Sequence, residues 1–274
     1  MDTFYILCRP DPASSNIGAS LIEEGQFGPE ARADGMELFR SGADCLVTID
    51  TIHIHREGLD SQIGEVFGIS PGRLVFMSTH RSRSNTPAIT FHPIGNYGEA
   101  LLGGRPGTLV PSCPELMTGT MLAMNRTGHA GYQITYEATH HGPHIETPAL
   151  FAEIGSGEEQ WRDADAGREV ARALLLKEEP EGINAVGVGG GHYCSRFVEI
   201  ARKRKVNFGH FIPNHNLHLL DEKVAQELAE KSPRTSHFVV HEDRKHTESI
   251  ERVGQLLEAA GLKKLDHSLS PFRK

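Results

Sequence analysis

Three histidines and a glutamate fall within nine residues in the segment Tyr136-Glu137-Ala138-Thr139-His140-His141-Gly142-Pro143-His144. Imidazole and carboxylate are the groups that move protons near neutral pH and that bind metals such as zinc. The segment follows an alternating stretch, Tyr132, Ile134 and Tyr136 against Gln133, Thr135 and Glu137, and it stops at Gly142-Pro143. Period-two alternation predicts a strand. The polar groups then collect at a strand's carboxyl end, where open α/β sheets bind ligands. Glu137 and Thr139 share one face, and His141 continues that face if the strand persists. Adjacent histidines on a strand point apart, so one of His140 and His141 is expected in a site and the other beside it.

Four further segments carry similar groups. Val186-Gly187-Val188-Gly189-Gly190-Gly191-His192 runs a buried strand into three glycines and then a helix start. Backbone N–H groups in such a turn can approach an anion or an oxyanion closely. The spacing fits neither a P-loop, since no Gly-Lys-Ser/Thr follows, nor the dinucleotide fingerprint. By itself it is equally a tight turn that needs positive φ. Ser78-Thr79-His80-Arg81-Ser82-Arg83-Ser84 leaves the apolar run Leu74–Met77 with two arginines, which can clamp a phosphate. Phe91-His92-Pro93 and Glu153-Ile154-Gly155-Ser156 are two more strand exits that carry a histidine or an acid.

Other patterns read more plainly. Phe208-Gly209-His210-Phe211 is expected to be a core histidine in an apolar run. His53 and His55 fall on one strand face and make the rival metal pair, but no third ligand is near, so a solvated face is expected. Met117, Met121 and Met124 have the spacing of helix core packing. Arg202-Lys203-Arg204-Lys205 closes a helix, where cations suit the dipole; the sharper expectation is a phosphate-contacting rim to the site.

The elements that must hold these groups alternate in type. Strands are predicted over 3–8, 45–49, 74–78, 88–91, 132–139, 149–154, 185–188, 207–212 and 237–241. Helices are predicted over 15–24, 114–125, 158–176, 196–204, 222–231 and 247–260. Capping boxes are expected at Ser112-x-x-Glu115 and Ser156-x-x-Glu159. Alternation of this kind predicts an α/β fold with a mixed, largely parallel sheet flanked by helices, and one domain over 1–274.

Composition narrows the function. With 38% hydrophobic and 23% charged residues over 274 positions, the chain is ordinary globular protein, which excludes disorder and fibrous repeats. No apolar run reaches the ~20 residues of a membrane span. The start, Met1–Cys8, reads as a strand and not as a signal peptide. Four scattered cysteines without a CxxC pair predict a reducing, cytoplasmic setting. The net charge of −8 is uneven: residues 1–70 hold four Lys/Arg against twelve Asp/Glu, and residues 191–274 hold fifteen against eleven. Sixteen histidines beside one tryptophan suggest an enzyme more than a base-stacking RNA module.

In combination these segments resemble the archaeal and plant type of D-aminoacyl-tRNA deacylase. The resemblance rests on Ser78-x-His80-Arg81-Ser82, Thr90-x-His92-Pro93-x-Gly95-Asn96, Tyr136-Glu137-x-Thr139-His140-His141-Gly142-Pro143, Glu153-Ile154-Gly155-Ser156 with Trp161, Gly189-Gly190-Gly191-His192-Tyr193, and Phe208-Gly209-His210. The start Asp11-Pro12-Ala13-Ser14-x-Asn16-Ile17 adds to it. It departs from the family's pattern at Tyr193-Cys194-Ser195 and over Pro213–Leu219.

The resemblance implies a phosphorylase/hydrolase-like α/β fold, hydrolysis of the ester between a D-amino acid and the 3′ end of tRNA, and zinc, typically two ions. An ester hydrolase needs an activated water, an oxyanion stabiliser and an anchor for the tRNA end. On that reading His140, Glu137 and His192 are the catalytic residues, with Glu137 the leading general base. His80, His140, His141 and Glu153 are the expected metal ligands. Gly189, Gly190 and Gly191 would supply oxyanion N–H groups, and Arg81, Arg202 and Lys203 would contact the tRNA. A metal-free version with a histidine base stays open. So do a zinc aminopeptidase or amidohydrolase, or a peptidyl-tRNA hydrolase-like enzyme, on the same scaffold.

Overall fold

The computed structural model describes residues 2–83, 85–127 and 131–266, so Ser84 of the arginine-bearing exit lies outside the described residues. Eight strands form a large sheet: β1 (Thr3–Cys8), β2 (Gly28–Ala33), β3 (Met36–Ser41), β4 (Asp44–Ile49), β5 (Arg73–Thr79), β6 (Ala88–His92), β9 (Gln133–Tyr136) and β10 (Ala149–Gly155). Their order is β2-β3-β4-β1-β5-β10-β6-β9. A ribbon pairs β7 (Gly95–Asn96) with β8 (Thr108–Leu109). A second sheet, in the order β12-β11-β13-β14, uses β11 (Ile183–Val188), β12 (Val206–Ile212), β13 (Thr235–Val240) and β14 (Lys263–Lys264). The helices are α1 (Pro12–Glu24), α2 (Leu59–Phe67), α3 (Pro114–Thr127), α4 (Glu158–Trp161), α5 (Ala164–Leu176), α6 (Ser195–Arg204), α7 (Glu222–Glu230) and α8 (Thr247–Ala259). The α/β class and the mixed, mostly parallel sheet agree with the sequence reading. β4, β1, β5 and β10 run parallel, and the second sheet is parallel throughout.

Burial explains the strand sequences. β1, β4 and β10 are buried at every position, as apolar strands covered on both faces must be. One core cluster joins Tyr5, Val75 and Ile154 of the large sheet to Ala185, Phe208 and Val239 of the second. Each such side chain contributes roughly 1.5–3 kcal/mol on full burial. α1 begins at Asp11, whose Oδ1 accepts from Ser14 N–H (2.8 Å). Its Oδ2 accepts from Thr79 N–H and the Thr79 hydroxyl, both at 3.0 Å. One carboxylate thus caps a helix and pins the exit of β5, one residue before His80.

Several expectations change. Residues 158–176 are two helices, because Asp163 caps α5 by accepting from Asp165 and Ala166 N–H. Neither capping box forms: Ser112 donates to Lys231 O and Ser156 to Thr86 O. His53–His55 is a turn of 3-10 helix and not a strand face. His53 is buried there and stacks near Phe76 and Phe151. β9 ends at Tyr136, three residues short of the predicted end, for a reason that bears on the site.

Candidate active site

Beyond β9 the chain keeps a bond to the large sheet, from Glu137 N–H to Phe91 O (3.0 Å), and also pairs with the turn after β11 and with β12. Cys194 N–H donates to Tyr136 O (2.8 Å), Ala138 N–H to His192 O (2.9 Å), and Thr139 N–H to Phe211 O (3.2 Å). Glu137 and Tyr193 face each other as an isolated antiparallel bridge. This seam between the sheets carries Glu137 and His140 on one side and His192 and Tyr193 on the other. On the large sheet, antiparallel β10 and β6 set Phe151 opposite His92 and Glu153 opposite Thr90. His92 stacks flat on Phe151, with centroids 5.0 Å apart. The site therefore lies where oppositely directed strands meet the seam, and not over a single row of parallel strand ends.

The structure brings His80, His92, Glu137, His140, His141, Glu153 and His192 together. The His140 ring centroid lies 4.1 Å from that of His92, 4.4 Å from His141 and 4.7 Å from His192. His141 takes a left-handed backbone conformation, φ 46°, that few non-glycine residues adopt. Gly142 next to it is packed so closely on the Gly103-Gly104 backbone that no side chain fits.

Backbone carbonyls set three of the rings. His92 Nδ1–H donates to Pro93 O (3.0 Å), His140 Nδ1–H to Ala138 O (2.7 Å), and His141 Nδ1–H to Gly142 O (2.7 Å). A neutral ring so fixed has its lone pair on Nε2, and one ligand nitrogen from each of the three residues lies within 4.8 Å of the others. Burial would lower the His92 pKa, but Glu153, 3.5 Å from its Nε2, outweighs burial and raises it. Burial, followed by the neighbouring His92 and His141, pushes the His140 pKa well below 6.5. Burial and His92 hold His141 down at about 3. Both rings are therefore neutral donors at physiological pH.

His80 behaves differently. Its Nδ1 lies 2.9 Å from Glu137 Oε1 and 3.6 Å from Glu153 Oε2, and its Nε2 lies 2.6 Å from the Tyr193 hydroxyl. Burial opposes its charge, but the two carboxylates outweigh burial and raise its pKa to about 11. The metal-free ring therefore carries its proton, and His80, Glu137 and Glu153 form a group whose donor atoms lie within 4.8 Å of one another. Burial would raise the Glu137 pKa, yet His192 and His80 outweigh it and hold it at about 2. A carboxylate that acidic is a weak general base at neutral pH. Glu137 is fully buried, and neither of its oxygens receives a well-aligned donor. His140 Nε2 and His192 Nε2 stand 3.7 Å and 3.6 Å from its Oε2.

The remaining expected residues separate into two groups. Arg81 is exposed directly after His80 and lies over the Trp161 ring at 4.3 Å, while Trp161 Nε1–H donates to His80 O. Arg202 and Lys203 sit in the last turn of α6, and the next carbonyl but one, Lys205 O, accepts from Ile183 N–H at the start of β11. Gly189 follows the other end of that strand. Six residues of strand, about 20 Å, separate the basic cluster from the glycine turn, so it forms no rim to the site. Gly189 N–H donates to Ile212 O and Gly190 N–H to the Asn214 side chain, so neither amide is free for an oxyanion. His92 is legible in the sequence as a histidine at a strand exit, without a role, and nothing in the sequence signals that Tyr193 meets His80.

A sequence profile described as D-aminoacyl-tRNA deacylase matches residues 67–265. The chain belongs to the D-aminoacyl-tRNA deacylase family. Among relatives with that name, the Methanosarcina mazei protein is 36% identical over 96% of this chain and 92% of its own length. The Thermococcus kodakarensis protein is 33% identical over 93% of this chain and 96% of its own. A crystal structure described as a conserved protein of unknown function superposes with a TM-score of 0.87 at 27% identity, covering 98% of this chain and 95% of that one. The matched residues include the whole cluster from His80 to Tyr193.

Proposed function

We infer that the protein hydrolyses the ester of D-aminoacyl-tRNA, releasing the D-amino acid and free tRNA. The observation that carries this reading is the array of histidine rings around the buried Glu137, in a chain of the D-aminoacyl-tRNA deacylase family. Nothing in the family membership favours an aminopeptidase. Residues 1–274 act as one unit on this reading, supported by the core cluster common to both sheets. No helix among the described residues is long and apolar enough to cross a membrane. Four free, buried cysteines support a cytoplasmic setting.

The donor set fits a zinc ion. His92, His140 and His141 would hold it, since imidazole nitrogens with the other ring nitrogen fixed by a carbonyl are its preferred ligands; His92 Nε2, which faces Glu153 at 3.5 Å without a formed hydrogen bond, would give up its proton on binding the ion. When bound, zinc supplies a Lewis acid and a water acidic enough to ionise near neutral pH. A second group, Glu137, His140 and His192, shares His140. That ring has one lone pair, so a second ion would draw its donors from the carboxylates and His192.

The protein's own groups do the rest. Glu137 orients His192, which is 45% exposed and positioned at the mouth to take or give a proton. His80 keeps its proton between two carboxylates and orders the Tyr193 hydroxyl as a donor toward developing negative charge. Arg81, stiffened by Trp161, meets a phosphate of the tRNA end. The decisive experiment is deacylation of matched D- and L-aminoacyl-tRNA, with zinc content measured on the same sample. Activity on the D ester, loss on chelation, return with zinc, and a folded but inactive His140→Ala are the expected results. A fully active His140→Ala would overturn the assignment of the site.

A further inference from the structure

Four large apolar side chains stand exposed among the described residues: Ile52, Leu101, Leu102 and Leu176. Three of them belong to two segments that pack together beside the histidines. Leu101 is 80% exposed and Leu102 56%. Gly142, directly after His141, donates its N–H to Leu102 O (3.1 Å). Gly103 lies against Ile54 O too closely for any side chain, which joins the leucine loop to the turn that carries Ile52. The loop is braced from both sides. Gly104 N–H donates to Glu57 Oε1 (2.8 Å), and Asn96 Nδ2–H donates to Gly103 O (3.0 Å). A single exposed leucine calls for no explanation, but a pair held outward by a fixed backbone at the edge of a reactive cluster does.

We propose that Leu101 and Leu102, with Ile52, form the surface on which an unstacked base of the single-stranded tRNA 3′ end rests, with Arg105 meeting the adjoining phosphate. This rests on the ester-hydrolysis reading above. The ester is on the terminal ribose, so the last nucleotides must cross the surface next to His140 and His141. Each base has an apolar face, and proteins that hold single strands cover such faces. Aromatic rings are the usual cover, yet none of the four exposed large apolar residues is aromatic. The aliphatic pair is therefore the apolar cover at this site. Charge agrees. Arg105 is exposed three residues after Leu102 and has no carboxylate partner among the described residues. The carboxylate of Glu57 is already engaged by Gly104 and His144 N–H. Glu99 is the single acid of the segment 97–107.

The test is the double variant Leu101→Asp/Leu102→Asp, with Leu176→Asp as a control on the remote exposed leucine. Thermal unfolding and light scattering are run on each protein. The double variant should raise KM for D-aminoacyl-tRNA roughly tenfold or more with kcat within about twofold, because losing cover for one base is worth about that much. The loss should be equal for D-tyrosyl and D-aspartyl esters, and Leu176→Asp should match wild type. Arg105→Ala should flatten the dependence of KM on salt, which apolar contacts do not set. An unchanged KM overturns the proposal. So does a loss that follows the apolarity of the amino acid, which would place the leucines at the aminoacyl side chain. A dimeric wild type whose double variant is monomeric would assign the patch to a second copy instead. A wild type inactive on every D-aminoacyl-tRNA would fault the functional reading itself, a result distinct from all of these.

Discussion

Glu137→Gln keeps the shape of the side chain and removes the charge that His80, His140 and His192 surround. At 2.9 Å and an effective dielectric of about 20, Glu137 attracts protonated His80 by about 6 kcal/mol, and Glu153 at 3.6 Å by about 5 kcal/mol. Losing the larger attraction, even with half of it discounted for relaxation, lowers the His80 pKa by about two, at 1.36 kcal/mol per pKa unit. The wild-type value of about 11 would fall to a range reachable by NMR titration of histidine-labelled, metal-free protein. Stability shifts with it. His80 binds its proton more tightly folded than unfolded, so its contribution is whole below pH 6.5 and fades as pH rises toward 11. Glu137 is held at about 2 against an ordinary 4.5, so its contribution is whole above 4.5 and fades as pH falls toward 2. The pair thus supports the metal-free fold best between about pH 4.5 and 6.5, and Glu137→Gln should lose that optimum. Deacylation should fall by about 10²–10⁴-fold with the fold intact, the usual cost of disabling acid–base chemistry. A variant whose His80 still titrates as in wild type, or whose kcat/KM stays within threefold, would refute the electrostatic account.

Gly142→Ala should cost about 3 kcal/mol and abolish deacylation, because its Cβ would stand 2.6 Å from Ile54 O and nearer still to the Gly104 backbone. A melting curve within 2 °C of wild type would contradict this. Arg202→Ala/Lys203→Ala/Arg204→Ala/Lys205→Ala together should leave KM for aminoacyl-tRNA within about twofold, whereas Arg81→Ala should raise it several-fold at low salt. The reverse ranking would move the tRNA path to the far end of α6. Tyr193→Phe should lower kcat by about 10²-fold with little change in KM, the signature of a donor used in the transition state. An equal loss in both constants would make Tyr193 a packing residue.

Much of this site was legible because chemistry-bearing residues fall at strand exits. Glu137, His140, His192, His80 and Glu153 were each singled out from neighbours alone. Roles were less legible, because they depend on contacts across long sequence gaps. Nothing local says that Tyr193 will meet His80, or that both will enclose Glu137. The glycine run was rightly read as a turn, but the partners that engage its amides come from Ile212 and Asn214. The basic cluster misled for a topological reason: a helix that starts at the site ends a strand's length away. In the fold, Asp34-Gly35 carries both of its residues at positive φ between β2 and β3, a hairpin signal present in the sequence and passed over. The break at Asp163 went unseen because an apolar helical period runs through it, and the cap asserts itself only through its hydrogen bonds.

The three carbonyl-to-imidazole bonds at Pro93, Ala138 and Gly142 carry a consequence for assembly. Small zinc-dependent domains collapse around their ion and are unfolded without it. Here the ring orientations are written into main chain that is already ordered by sheet pairing and by Phe151 beneath His92. On the proposed zinc reading, folding and loading would be separate events. The polypeptide would reach its final shape before an ion arrives, and a stock of such protein would act as a reserve whose activity follows the free zinc concentration and not the rate of synthesis.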